Sequence, residues 1–134
     1  MTLNAEGLLD TPLIDQAQLE WFGHEMQNSS ARKRRGDLDW IIVCVHRPLY
    51  CSSGSKECGE YAQYLRGLLE QTIQENLVDL VVSAHRHNYE RSTPVFLNKV
   101  MPNSSAPVYI VNGIGGCREG NSPGMERNRF VCIE

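Results

Sequence analysis

Three of the four histidines stand where folding can bring them together. His46 closes the apolar run Trp40-Ile-Ile-Val-Cys-Val45, and His85 and His87 follow a second run, Asp79-Leu-Val-Val-Ser83. Neutral imidazole is the commonest side-chain metal ligand and suits zinc and iron. Residues two apart in extended backbone point to the same side, so the reading expects His85 and His87 to face one site together. Three imidazoles at one sheet edge make a metal-site geometry. Spacing alone leaves an ordinary solvated loop equally open. His24 lies inside the first helical segment, far from any strand end, and is not grouped with them.

The elements that must position these residues follow from hydrophobic pattern. Both runs are short, continuous and rich in β-branched residues, the mark of buried strands in a covered sheet. Between them Tyr61, Leu65, Leu68, Leu69 and Ile73 fall on one face of a helix predicted from about 60 to 75. Strand, loop, helix and strand compose a β-α-β unit with parallel strands and a right-handed crossover. Ligands in such sheets gather at the carboxyl ends of the strands, which is where the histidines fall. Upstream, Asp15 with Gln18 resembles a capping box, and Leu19, Phe22 and Met26 follow at helical spacing, so 15–28 is predicted helical. Residues 1–13, 28–39 and 46–58 read as loops, with Arg32-Lys33-Arg34-Arg35 a solvated basic run. Two further strands are predicted at 94–101 and 106–112, then a glycine-rich stretch, Gly113–Gly120, and another strand around 130–134. The expected class is α/β, in one domain over 1–134.

The residues around the histidines carry a more specific signal. Val43-Cys-Val-His46-Arg-Pro-Leu-Tyr-Cys-Ser resembles the V-x-x-H motif of purple acid phosphatases, members of the calcineurin-like metallophosphoesterase superfamily. Ser83-Ala-His85-Arg-His87-Asn-Tyr-Glu-Arg resembles that family's G-H-x-H motif and its continuation, with Ala84 in place of the usual glycine. Ala106-Pro-Val-Tyr-Ile-Val-Asn-Gly-Ile-Gly-Gly is similar to the strand and glycine turn that come next. The resemblance runs from about Gln16 to Gly120.

It implies part of a four-layer αββα sandwich whose β-α-β unit carries the metal histidines. His46 and His85 would bind a divalent metal and His87 a ferric ion, in a dinuclear centre of iron with zinc, manganese or iron. A bridging hydroxide or metal-bound water would attack a phosphate monoester in line. Arg47, Tyr50 and Arg86, beside the ligands, are the substrate-facing candidates, while Glu90 and Arg91 read as internal partners. No catalytic acid or base is assigned. The family's D-x-G, G-D-x-x-Y and G-N-H-E/D motifs are absent, as is its histidine in the loop after V-x-x-H. Gly36-Asp-Leu-Asp-Trp40 imitates G-D-x-x-Y, but it starts the strand that ends at His46, and six strand residues span roughly 20 Å. Asp37 and Asp39 therefore cannot share a metal with His46. The chain is expected to be the C-terminal part of a catalytic domain, holding at most one metal alone and hydrolysing slowly. The other reading is a non-catalytic binding module, or a pseudoenzyme fragment with half of the site. Whether the gene model is truncated, the sequence partial or the protein naturally short stays open.

Composition bounds the partners. A net charge of −3 gives no electrostatic footprint for nucleic acid. No apolar stretch approaches the roughly 18 residues of a membrane span, and the first residues lack the basic and apolar regions of a signal peptide. Cys51 and Cys58 bracket a short Ser/Gly loop and are a disulfide candidate. Cys44 reads as a small buried hydrophobe, and Cys117 and Cys132 could pair or stay free. Five cysteines leave at least one thiol over. Asn28 and Asn103 head glycosylation sequons. With the family resemblance, these features suit a secreted or lysosomal/vacuolar protein.

Overall fold

The computed structural model describes residues 2–3, 12–103, 105–115 and 131–132, with the backbone alone at 12–15 and 131–132. In chain order the elements are β1 (Thr2–Leu3), α1 (Pro12–Arg34), β2 (Ile42–Val45), a π-helical turn (Glu57–Tyr61), α2 (Ala62–Glu75), β3 (Leu80–Ser83), β4 (Tyr89–Ser92), β5 (Val95–Phe96), β6 (Lys99–Val100), β7 (Val108–Asn112) and β8 (Val131–Cys132). The main sheet runs β1-β2-β3-β7-β4-β8. Its first four strands are mutually parallel, and β4 is antiparallel to both β7 and β8. The fold is mixed α/β with a parallel-rich sheet, and β2, α2 and β3 form the β-α-β unit.

Alternation along the strands decides where the core sits. Val43, Val45, Val81 and Tyr109 are buried with Phe22 and Met26 of α1 and with Leu65, Leu69 and Ile73 of α2. The intervening residues face the other way. Ile42 is 44% exposed, and Cys44, Val82 and Ile110 are only half-buried. Cys44 is thus not the buried hydrophobe expected, because its side chain lies on this open face; it is the free cysteine among the described residues.

Helix α1 runs on through the basic segment expected to be a loop. Its last turn carries Arg32, Lys33 and Arg34, cations that complement the helix macrodipole. Gly36 then takes φ +81, the Gly36 N–H donates to Lys33 O at 3.0 Å, and Asp37 N–H donates to Arg32 O at 2.9 Å. These two bonds are the Schellman pattern that closes helices on a glycine. Lys33 also latches the helix to the sheet: Asp79 Oδ2 accepts its ammonium at 2.5 Å and the Ile41 N–H at 2.8 Å.

The strand predicted at 94–101 is a hairpin instead, and an unpredicted strand precedes it: β4, Tyr89–Ser92, begins two residues after His87 and alternates exposed and buried. Beyond Pro94, β5 and β6 make a small antiparallel hairpin. Its two turn residues, Leu97 and Asn98, have φ 48 and 59, the conformation that matches strand twist in two-residue hairpins. Leucine rarely adopts it, at a cost of about 1–2 kcal/mol. Buried polar groups hold it there. Glu70, 3% exposed, accepts the Leu97 N–H at 3.1 Å. The Tyr50 hydroxyl donates to Glu70 and accepts the Asn98 N–H at 3.1 Å. Burial, and next the bond to Glu70, push the Tyr50 hydroxyl pKa well above its ordinary value, so it stays protonated and able to donate.

Tyr50→Phe removes the bridge between Glu70 and the hairpin and leaves the Asn98 N–H without its acceptor. The expected loss is about 1–3 kcal/mol of unfolding free energy, read as a lower urea midpoint at unchanged slope. An unaltered midpoint would mean that the hairpin does not depend on this bond.

Candidate metal centre

His46 is the first residue beyond β2, and His85 the second beyond β3. Parallel pairing sets Val45 opposite Ser83, and the ladder continues one step further, with Ala84 N–H donating to His46 O at 3.0 Å. The two histidines therefore emerge side by side. His46 Nε2 and His85 Nδ1 are 3.2 Å apart, with the rings edge to face at 5.1 Å between centroids.

That separation has chemical meaning. Two nitrogens bound to one tetrahedral zinc at 2.0–2.1 Å lie about 3.3 Å apart. The pair fits two positions around one ion. The His85 pKa is lowered, first by burial and then by Arg47, with Glu57 opposing. The shift favours the neutral ring, the form in which imidazole binds metal.

The backbone around His87 is not the extended one expected: His85 takes φ 56, in the left-handed region, and Asn88 N–H donates to Arg86 O at 2.9 Å, so the same-side rule for residues two apart in a strand does not apply here. Among the described residues no group of three or more His, Cys, Asp or Glu is placed to hold a metal ion. The structure brings His46 and His85 together, and His87 is half-buried. The bend from His85 to Asn88 packs against the end of β7. Gly113 N–H donates to Asn88 O at 3.1 Å, and a Cβ on Gly113 would collide with the Arg86 carbonyl and crowd the His87 Cα.

The remaining candidates occupy distinct places. Arg47 Nη1 donates to Glu57 Oε2 at 2.5 Å, lies 3.1 Å from His85 Nε2, and its guanidinium sits 5.6 Å from the centroid of the Tyr61 ring. Tyr50 is turned into the core at 6% exposure. Arg86 is half-buried, and its Nε has no hydrogen bond. Glu90 is buried and accepts from Asn88 Nδ2 at 2.5 Å, whereas Arg91 is exposed, so the two do not pair with each other. Cys51 and Cys58 form a disulfide with Cα atoms 5.2 Å apart; it ties the loop after His46 to the π-helical turn. Asn28 is exposed on α1, but Ser30 of its sequon is buried and donates to Asn76 Oδ1 at 3.0 Å. Asn103 is exposed, while Ser104 lies outside the described residues, as do the side chains of Cys117 and Cys132. Asp37 pairs with Arg35 at the far end of β2. A groove of about 590 Å³ opens over the carboxyl ends of β1, β2 and β3, lined by Leu3, Gln18, Cys44, His46, Ala84 and others.

Glu57 was missed by sequence reasoning, and it touches His85: its Oε2 lies 3.3 Å from Nε2. The available signal was an acidic residue beside Cys58, in a loop that a disulfide would fold back toward His46.

The family model for calcineurin-like phosphoesterases matches residues 2–89. The chain belongs to the calcineurin-like phosphoesterase family. Among curated relatives, acid phosphatase type 7 of Danio rerio is 36% identical over 121 residues, covering 76% of this chain and 27% of that protein. Acid phosphatase type 7 of Homo sapiens is 36% identical over 124 residues, covering 81% and 28%. Fe(3+)-Zn(2+) purple acid phosphatase 12 of Arabidopsis thaliana is 36% identical over 112 residues, covering 77% and 23%. The chain therefore spans about a quarter of the length of these relatives. In three dimensions it is similar to purple acid phosphatase PPD1 of yellow lupin, with a TM-score of 0.72 at 24% identity over 87% of this chain and 21% of that one. That likeness establishes a shared fold with a phosphoesterase of this family.

Gly113→Ala tests how the histidine bend is held. The added methyl meets backbone rather than a flexible side chain, so the bend must move. The expected cost is about 1–3 kcal/mol of stability, with displaced ring resonances for His85 and His87 in NMR spectra. Unchanged stability and resonances would show that the packing is looser than described.

Proposed function

We propose that this chain supplies the histidine side of a two-metal centre, iron with zinc, manganese or iron, in an acid phosphatase that hydrolyses phosphate monoesters. One observation carries the reading: His46 Nε2 and His85 Nδ1 face each other at 3.2 Å at adjacent strand ends, in a chain of a phosphoesterase family. Bound metals in such a centre supply Lewis acidity, which makes water a nucleophile near neutral pH and offsets charge on the phosphoryl group. His46 and His85 hold the divalent ion through the nitrogens that face each other. His87, two residues on, is the donor to the ferric ion, and similarity to the Fe(3+)-Zn(2+) purple acid phosphatase supports that pairing of metals. Arg47 and Arg86 are the cations that orient the phosphate oxygens. A guanidinium carries five N–H donors in a fork that matches phosphate oxygens. The disulfide beside the site supports an oxidising compartment, secreted or lysosomal/vacuolar. There Asn103 would be the better glycan acceptor, because Ser30 of the other sequon is buried.

A non-catalytic module is the second reading. It is favoured by the lack of any three-ligand group among the described residues.

Metal counting separates the two. Loaded with iron and zinc, the chain of 134 residues should bind at most one metal, through His46 and His85, show no purple colour, and hydrolyse an aryl phosphate slowly at acid pH. In a longer polypeptide that adds aspartates, tyrosine and asparagine, two metals should bind. There His46→Ala or His85→Ala should lose the divalent ion and His87→Ala the iron, each with turnover lowered by orders of magnitude. Full metal content and a near-normal rate in His87→Ala would overturn the assignment. Failure of the wild-type chain to bind any metal would favour the module.

A further inference from the structure

We propose that Glu57 is a positioning residue for the metal centre, holding the His85 imidazole in the tautomer that leaves Nδ1 bare toward His46. The inference rests on the metal-site reading above and adds to it a residue outside every histidine motif.

A neutral imidazole carries one proton, on either nitrogen. For His46 Nε2 and His85 Nδ1 to share an ion, both must be bare, so the His85 proton must sit on Nε2. Two groups lie against that atom and favour opposite tautomers. Arg47 Nη1, at 3.1 Å, can only donate, and so favours a bare Nε2. The proton then moves to Nδ1, which donates to His46 Nε2 and closes the pair to metal. Glu57 Oε2, at 3.3 Å, can only accept, and so favours the proton on Nε2. The same carboxylate oxygen also takes the Arg47 Nη1 hydrogen bond at 2.5 Å, which gives the guanidinium a better acceptor than the ring. Glu57 thus supports the metal-ready tautomer directly and occupies its competitor. Metal-bound histidines commonly donate their second N–H to a carboxylate for the same reason.

The local architecture holds Glu57 in place. It opens the π-helical turn at 57–61, a rare backbone form that recurs at functional sites. The next residue, Cys58, is bonded to Cys51, and Tyr61 at the far end of the turn lies under the Arg47 guanidinium. The turn is therefore tied to the segment following His46 at both ends. Side-chain exposures of 16% for Arg47, 23% for Glu57 and 27% for His85 shelter the cluster, so water competes only in part for these contacts.

The test uses zinc alone as the probe, in the wild-type protein and in Glu57→Ala, Glu57→Gln and Glu60→Gln. Affinity is measured by competition with a chromogenic chelator, and the His85 tautomer by ¹⁵N NMR of its ring nitrogens. Glu57→Ala should weaken zinc about 10–100-fold and shift the metal-free His85 proton from Nε2 to Nδ1. Glu57→Gln keeps an acceptor oxygen and the side-chain shape, so it should lose less; it also serves as the readout if the alanine variant does not fold. Glu60→Gln, on the exposed side of the same turn, should match wild type. Unchanged zinc affinity and tautomer in both Glu57 variants would overturn the proposal, as would an equal loss in Glu60→Gln, which would assign the effect to general charge. His46→Ala separates this inference from the reading beneath it. Zinc lost there but kept in the Glu57 variants overturns the positioning role alone, whereas zinc unaffected by His46→Ala overturns the metal site and this role with it.

Discussion

Parallel pairing of β2 with β3 is the constraint from which the rest of the site follows. Strand neighbours lie under 5 Å apart, so whatever residues leave the two strands at matching heights must meet. Val45 pairs with Ser83, and the next hydrogen bond joins Ala84 to His46. A slip of one residue would turn Val43, Val45 and Val81 out of the core. The apolar alternation that fills the core therefore also brings the two imidazoles together. Packing and chemistry share one register.

Around that register the structure uses buried polar groups as braces. Asp79 fastens the start of β3 to Ile41 and to Lys33 at the end of α1. Glu70 and Tyr50 together hold the left-handed turn of the β5–β6 hairpin. Arg66 Nη1 donates to Leu49 O at 2.5 Å, and its guanidinium lies 4.8 Å from the centroid of the Tyr50 ring. Each brace satisfies a group that would be costly to bury alone. Glu70 and Arg66 hold the loop after His46 from its core side, so Tyr50, close to the histidines in sequence, faces inward.

The open sheet face lies beside the histidine pair. Ile42, Cys44, Val82 and Ile110 are apolar or nearly so and remain partly exposed. Cys44 and Val82 line the groove beside His46. In the family the chain spans about a quarter of the length of its relatives.

Much of this was legible in the residues. The two apolar runs, the amphipathic helix between them and the histidines at their ends specified a β-α-β unit and its chemical edge, because burial periodicity and strand polarity are local properties. The flanking motifs carried the family. The helix end was legible too, and was misread: the basic run followed by Gly36 is a helix terminus with its capping glycine. Other features depend on partners far away in sequence. The left-handed φ of His85 takes His85-Arg-His87 out of extended backbone, and nothing in that string announces it, since the bend packs on Gly113, just beyond β7. The inward turn of Tyr50 requires Glu70, and Glu57 reaches His85 only through a disulfide and a π-helical turn. The sequence by itself determined the strands, their order of chemistry and the family, all written in near-neighbour pattern. Only the tertiary structure decided which nitrogens meet and which carboxylate stands behind them, because those contacts join segments that the chain brings together after the core has formed.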